Sequence, residues 1–365
     1  MIFFLLSFVL ALSPPTFAIP PTLGNVTQTT ATILLKSAQP VRLEVIDADG
    51  RKIFEQTAAP DPQADGHIVF DVVGLSPNQT YDYLVYVEDD VARASGFRTQ
   101  ATLETRAPVS LAFASCANES DATAKVWERI GLEKCDAIVL IGDTPYIDST
   151  DLAHQRKRYK AFANVPSLAT LVASTPVYST WDDHDFGRND TDGRLKGKEN
   201  SRKAFLESRP NPAPGDDTNG IYTSFQIGDV EVFLLDARWF ARTEPSTFDP
   251  KKPSLLGKAQ WAWLEEGLKK STATWKIITT GMIFNKAVRP LKTDYWMHYP
   301  HELDGLFKLL GTLKVSGAVL MGGDIHRQRV VRHASKDRVG YDLIELISSP
   351  AHDHIIASAN APHPG

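Results

Sequence analysis

Cysteine is nearly absent from this chain: its 365 residues contain two, Cys116 and Cys135. Two cysteines cannot build a disulfide scaffold, so the fold must rest on a hydrophobic core. A chain of this length buries one without covalent help. An excess of basic charge is also missing. Lys and Arg total 39 against 44 Asp and Glu, a formal net charge of −5, which offers no broad field for specific binding of duplex nucleic acid or anionic lipid. Gly and Pro, at 23 each, are too few for a collagen-like or disordered chain. No run is apolar for the about 20 residues that a bilayer span requires, and there is no internal repeat.

What is present begins with a short apolar run, residues 2–12 (IFFLLSFVLAL). It is the length of a signal-peptide core, although no Lys or Arg precedes it, and Thr16 to Ala18 offers a small-residue cleavage site before Ile19. Residues 1–18 are expected to be a leader and the protein to be exported, to a periplasmic, cell-surface or extracellular destination. Residues 19–99 hold short β-rich runs (ATILLK, VRLEVID, HIVFDVVGL, YDYLVYVED) separated by Gly, Pro, Asn and Asp, the pattern of an all-β module. Leu75-Ser-Pro77-Asn-Gln-Thr-Tyr81 has the character of a tyrosine corner, as in fibronectin type III-like sandwiches. Residues 100–108 read as a linker. From Val109 to residue 365 the pattern changes to alternating strands and helices, an α/β domain, with helices expected over Asp121–Glu133, Leu256–Lys270 and His301–Leu313. Residues 187–220 and 285–300 are rich in Gly, Pro and charge and are expected to be long loops.

Four polar clusters follow four apolar strands: Ser115-Cys116-Ala117-Asn118, Gly142-Asp143-Thr144-Pro145-Tyr146, Trp181-Asp182-Asp183-His184-Asp185 and Gly323-Asp324-Ile325-His326-Arg327. In an open α/β sheet the carboxyl ends of parallel strands share one edge, and ligands bind there. Each cluster alone is as readily a turn, a helix cap or a solvated loop. Four in order at strand ends place metal-capable side chains in one crevice.

Order and spacing resemble the calcineurin-like metallophosphoesterases, and the variants Cys-x-Asn, Gly-Asp-x-x-Tyr, Asp-Asp-His-Asp and Gly-Asp-x-His are similar to those of the PhoD-like alkaline phosphatase family. The resemblance continues in Leu235-Asp236-Ala237-Arg238, in Leu256-Gly257 with Gln260-Trp261 and Trp263-Leu264, and in Ser348-Ser349-Pro350, so it covers most of residues 108–350. It implies a metallophosphoesterase-type layered sheet-and-helix catalytic domain preceded by a small fibronectin III-like sandwich. It also implies a two-metal phosphate-ester hydrolase with a metal-bound hydroxide as nucleophile. One ion would be held by Cys116, Asp143, Tyr146 and His326. Asp143 would bridge to a second, also held by Asp183, Asp324 and Asn189, with Asn118 and Asp185 in reserve. A phenol with a pKa of about 10 and a thiol become ligands most readily beside a highly charged ion. Fe3+ meets that demand and is the ion the family implies. The oxygen-only second set favours a hard ion: Ca2+ by resemblance, with Mg2+ or Mn2+ as alternatives. The His that related phosphoesterases supply after the strand WKIITTG is missing; Gly281, Met282 and Asn285 stand there.

In this scheme His184 is the group that protonates or stabilises the leaving oxygen, and Arg188 and Arg238 are candidate clamps on a small phosphate mono- or diester. A phosphodiesterase or phospholipase D-type hydrolase with the same centre is the neighbouring alternative, and a non-catalytic surface binding protein the distant one. A Cys116–Cys135 disulfide is rejected on topology. One cysteine follows its strand and the other precedes the next, which separates them by roughly 20 Å if the strands are parallel, against a Cα limit near 7 Å. Cys135 is expected to be buried and inert.

Overall fold

The computed structural model describes residues 17–105, 107–289 and 292–356. The expected leader lies outside the described residues except for its last two. Period-two alternation forms the N-terminal strands: in VRLEVID, Val41, Leu43 and Val45 are buried and their neighbours are not. Strands β1 (Ile19–Gly24), β2 (Ala31–Lys36), β3 (Val41–Asp47), β4 (Lys52–Ala58), β5 (His67–Val72), β6 (Thr80–Val87) and β7 (Asp90–Arg98) make two antiparallel sheets, ordered β1-β2-β5 and β4-β3-β6-β7. Ile33, Leu35 and Phe70 of one sheet share a core with Leu43, Val45, Tyr83 and Val85 of the other, which gives a sandwich. The Tyr81 hydroxyl accepts the Ser76 N–H at 2.8 Å, so the corner read from the sequence is present. After a 3-10 turn at Leu103–Thr105 the chain enters the second unit. The sandwich is tied to that unit by Tyr83, whose hydroxyl donates to the Ala173 carbonyl at 2.7 Å.

The second unit contains β8 (Leu111–Ala114), α1 (Asp121–Glu133), β9 (Ala137–Ile141), α2 (Leu152–Ala163), α3 (Pro166–Val172), β10 (Val177–Thr180), α4 (Asp183–Phe186) and α5 (Lys198–Ser208). It continues with β11 (Thr223–Ile227), β12 (Val230–Leu234), α6 (Gly257–Lys270), β13 (Trp275–Thr279), α7 (Pro300–Thr312), β14 (Ala318–Gly322), β15 (Arg329–His333), α8 (Lys336–Val339) and β16 (Leu343–Ile347). β10, β9 and β8 form a parallel three-stranded sheet. A six-stranded sheet runs β11-β12-β13-β14-β16-β15, parallel at its centre and antiparallel at both edges.

The continuous apolar run of β9 explains the layering. Ile138 and Leu140 pack under Trp127 of α1, Phe162 of α2 and Leu168 of α3. The alternate residues Val139 and Ile141 meet Val232, Leu234 and Met321 of the larger sheet. A strand buried on both faces has no polar side. On the far face of the larger sheet Phe233, Ile278 and Leu320 pack against Leu264 of α6 and Leu306 of α7. Each such side chain contributes roughly 1.5–3 kcal/mol on leaving water. The layered sheet-and-helix domain expected from the sequence is thus built from two sheets stacked face to face, and their strand tips meet at one edge.

Two expectations are corrected. Residues 187–220 include α5, whose buried residues are Ser201, Ala204, Phe205 and Glu207, an apolar stripe too thin to signal a helix. Cys135 is half-buried rather than buried, with the Ser110 hydroxyl 3.6 Å from its sulfur. Both cysteines are free. Among the described residues no helix is long and apolar enough to cross a membrane.

Candidate metal centre

The crevice at the strand tips is built from backbone that turns sharply. Cys116 after β8, Asp143 after β9, and Asp324 and His326 after β14 all have positive φ, between 51° and 67°. That region costs a residue with a Cβ roughly 1–2 kcal/mol. Cross-bonds between tips hold it: Cys116 N–H donates to Gly142 O at 3.2 Å and Ala117 N–H to Asp143 O at 2.9 Å. Gly323 N–H donates to Gly281 O at 2.9 Å, and Ala351 N–H to Ser115 O at 2.9 Å. The Ser349 hydroxyl accepts the His326 N–H at 3.0 Å. Gly142 and Gly281 flank Asp182 so closely that a Cβ on either would lie 2.4 Å from the Asp182 Cβ.

Four of the sequence-predicted residues come together on one side. Cys116 Sγ is 3.4 Å from Asp143 Oδ2, and the Tyr146 oxygen is 2.9 Å from His326 Nε2. The Ser349 hydroxyl donates toward the Cys116 sulfur at 3.2 Å, and the Ser115 hydroxyl, 3.5 Å from it, donates to Ser348 O at 2.7 Å. Burial, aided by Asp143 and Asp324, pushes the Cys116 thiol up. Burial with Cys116 and Asp143 does the same to the Tyr146 phenol. His326 is pushed down to about 4 by burial and by the neighbouring His352 and His354, so its ring is neutral. Its Nδ1 is buried without a partner.

The other side is acidic. Burial and the neighbours Asp183, Asp185 and Asp324 drive Asp143 well above the carboxylate range. Asp324 is pushed up to about 6 by burial, against the opposing pull of Lys292. Asp183 alone is held low, at about 2: burial opposes its charge, but Arg238, His184 and Lys292 outweigh it. Ligand atoms of Asp183, Asp190 and Asp294 lie within 4.8 Å of one another, as do those of Asp143, Asp183 and His184. The fit to metal ions rests on this conflict. A thiol, a phenol, a neutral imidazole and crowded carboxylates face one another, a donor set that bound cations would satisfy.

His184 lines the cavity, and its Nδ1 is 2.6 Å from Asp148 Oδ1. Burial works against a charged ring, yet Asp183 and Asp148 prevail and hold it above the ordinary imidazole range. The cavity, of about 270 Å³, is lined by Asp143, Tyr146, His184, Asn189, Asp324 and His326 together with Asp190, Arg289, Lys292 and Thr293. Asn189 is exposed at its mouth.

Both expected phosphate clamps are elsewhere. Arg238 is 0% exposed; its Nε donates to Asp182 Oδ1 at 2.7 Å and its Nη1 to Thr191 O at 3.0 Å and Asp294 Oδ2 at 2.5 Å. Its charge is spent within the protein, which makes it a strut behind the crevice. Arg188 is exposed and does not line the cavity. The cations that do are Arg289 and Lys292, and Lys292 Nζ lies 2.9 Å from Asp324 Oδ2. The reserve ligands also have local duties. Asn118 Oδ1 accepts from Ser120 N–H and Thr123 Oγ1 at the start of α1. Asp185 Oδ1 accepts the Asp182 N–H at 2.5 Å in a capping box.

A family model described as PhoD-like phosphatase matches residues 111–361. Alkaline phosphatase D of Bacillus subtilis strain 168 is 24% identical over 343 residues, which cover 80% of this chain and 59% of that protein. The chain therefore spans about three-fifths of the length of this curated relative. A solved structure of PhoD superposes with a TM-score of 0.79 at 20% identity, covering 93% of this chain and 78% of the other. At that identity the likeness is one of fold.

Proposed function

Because the chain belongs to the PhoD-like phosphatase family, we propose that it is an exported, metal-dependent alkaline phosphatase acting on small phosphate esters. The observation that carries this reading is the meeting of Cys116, Asp143, Tyr146 and His326 at the tips of two stacked sheets. These four would hold Fe3+. Asp143, Asp183 and Asp324, with Asn189 at the mouth, would hold Ca2+, or Mg2+ or Mn2+ in its place. When bound, the ions supply Lewis acidity toward phosphoryl oxygens and lower the pKa of water.

The chain's own residues account for the rest. Asp148 engages His184 Nδ1, leaving Nε2 as the nitrogen free to deliver a proton to the leaving oxygen. Asp183 and Asp148 favour the charged ring that such a donor needs. Arg289 and Lys292 bring positive charge to the cavity, where Arg188 and Arg238 do not. Asp324, which would hold the second ion, is ion-paired with Lys292 at 2.9 Å, and no imidazole follows β13 to join it.

The test is elemental analysis of the purified protein with turnover of a phosphate monoester and a diester, before and after chelation. Iron with a second divalent ion, and hydrolysis lost on chelation and restored by the ion, is the expected result. Metal-loaded protein that turns over neither ester would refute the reading.

A further inference from the structure

His352 follows the Ser348-Ser349-Pro350 segment, is 9% exposed and stands beside the proposed iron ligands. Its place is fixed from the backbone. The adjacent Ala351 N–H donates to both Ser115 O, at 2.9 Å, and Cys116 O, at 3.2 Å, on the tip of β8. Both ring nitrogens are engaged. The His354 backbone N–H lies 3.0 Å from His352 Nδ1. A backbone N–H can only donate, so Nδ1 is the acceptor and carries no hydrogen. The ring hydrogen of the neutral imidazole is therefore on Nε2. That nitrogen is 3.1 Å from the Tyr146 oxygen.

The Tyr146 oxygen thus receives a hydrogen bond from His352, and it also faces His326 Nε2 at 2.9 Å. Both of these atoms are proposed ligands of the same ion. A cation held by these residues would displace the phenol hydrogen, and His352 would still be placed to donate to the oxygen. We infer that His352 is a positioning residue that donates Nε2–H to the Tyr146 oxygen, fixing its orientation and limiting the charge it gives the metal. The inference rests on the reading of Tyr146 as an iron ligand. Outer partners of this kind orient ligands and tune the electron density they offer. Edge-on packing of the Tyr146 and His184 rings, 4.8 Å between centroids, restrains the phenol from its other side.

The readout is the visible phenolate-to-Fe3+ charge-transfer band of the iron-loaded protein, with iron affinity measured alongside. Tyr146→Phe removes the band. His352→Leu takes away the donor, so the oxygen gives more charge and the band moves to longer wavelength, while iron binds roughly 10–100-fold more weakly. His352→Gln keeps an N–H at similar reach and returns the band toward the parent position. His354→Ala leaves its backbone N–H in place and leaves the band where it was. If His352→Leu does not fold, His352→Asn, whose shorter arm withdraws the donor, must show the same shift. An unshifted band in the donor-less variant, with the band still lost in Tyr146→Phe, overturns the inference and leaves Tyr146 as a ligand. An equal shift in His354→Ala also overturns it. A band that survives Tyr146→Phe, or is absent from the iron-loaded parent, overturns the ligand reading itself.

Discussion

Replacing Arg238 separates a strut from a clamp. In Arg238→Gln, Asp182 loses the bonds from Nε and Nη2, and Asp294 loses its bond from Nη1. Asp182 is 1% exposed, and its Oδ2 already has no partner. Breaking a buried ion pair by removing one member costs about 3–5 kcal/mol, because the surviving charge is left uncompensated. For a domain of this size each kcal/mol moves the Tm by roughly 2–4 °C, so thermal unfolding of the metal-loaded variant should begin about 6–20 °C lower. Adding Asp182→Asn removes the stranded charge and should recover part of the loss, which a double-mutant cycle reads as coupling. Saturated with substrate below its Tm, the single variant should keep a KM close to the parent's. An unchanged Tm together with a raised KM would show that Arg238 reaches substrate, and the strut would be wrong.

Gly281→Ala attacks the same layer from the opposite side. Its Cβ would lie 2.4 Å from Asp182 Cβ and Cγ, so overpacking should cost about 1–3 kcal/mol and weaken metal binding, read by iron content after dialysis. His67 predicts an acid-side loss of stability away from the metals. Burial outweighs its bond to the Ala64 carbonyl and depresses its pKa. The folded state therefore binds fewer protons than the unfolded one, and stability falls as pH drops through the unfolded value near 6.5. His67→Asn should flatten the fall in Tm between neutral and mildly acidic buffer; an identical slope in both proteins would refute it. Metal depletion should lower the Tm as well, since the ligands come from both sheets and an ion binds only when the sheets are stacked. At 100 times the Kd the linkage is about 2.7 kcal/mol, or roughly 5–11 °C, and a Tm indifferent to chelation would argue against ions at these residues.

The parts of this fold that were legible in the sequence are those where one residue pattern has one physical solution. β9 and β14 are apolar on both faces because both faces are covered, and each ends in a polar cluster where the sheet ends. Asp121–Glu133 shows its cap, Ser120, and its buried Trp127. α2 was missed because its buried residues are Gln155, Tyr159 and Phe162 amid basic ones, too few apolar positions to show a helical period. Asn118 and Asp185, reserve ligands by resemblance, have local hydrogen bonds that spacing also signals. Asp182 and Asp185, three apart ahead of a short helix, carry a capping-box signal.

Long-range partners leave no such mark. Arg238 meets Asp182 and Asp294 across 56 residues in either direction, and His184 meets Asp148 across 36. Nothing in the local pattern of an Arg on a loop says whether it will face solvent, substrate or a buried carboxylate. The net charge of −5 is equally silent. Its consequence lies in distribution, since Asp143, Asp182, Asp183, Asp190, Asp294 and Asp324 gather about Arg238 and Lys292, with Arg289 on the cavity wall. Such crowding is unfavourable by Coulomb repulsion and by burial, and the left-handed turns at Cys116, Asp143, Asp324 and His326 add to it. The apolar interface between the sheets and the cross-bonded tips must over-determine the crevice for it to persist. On the proposed reading, a cation bound there would relieve charge that the fold has already assembled, and a mildly acidic protein would in this way attract phosphate.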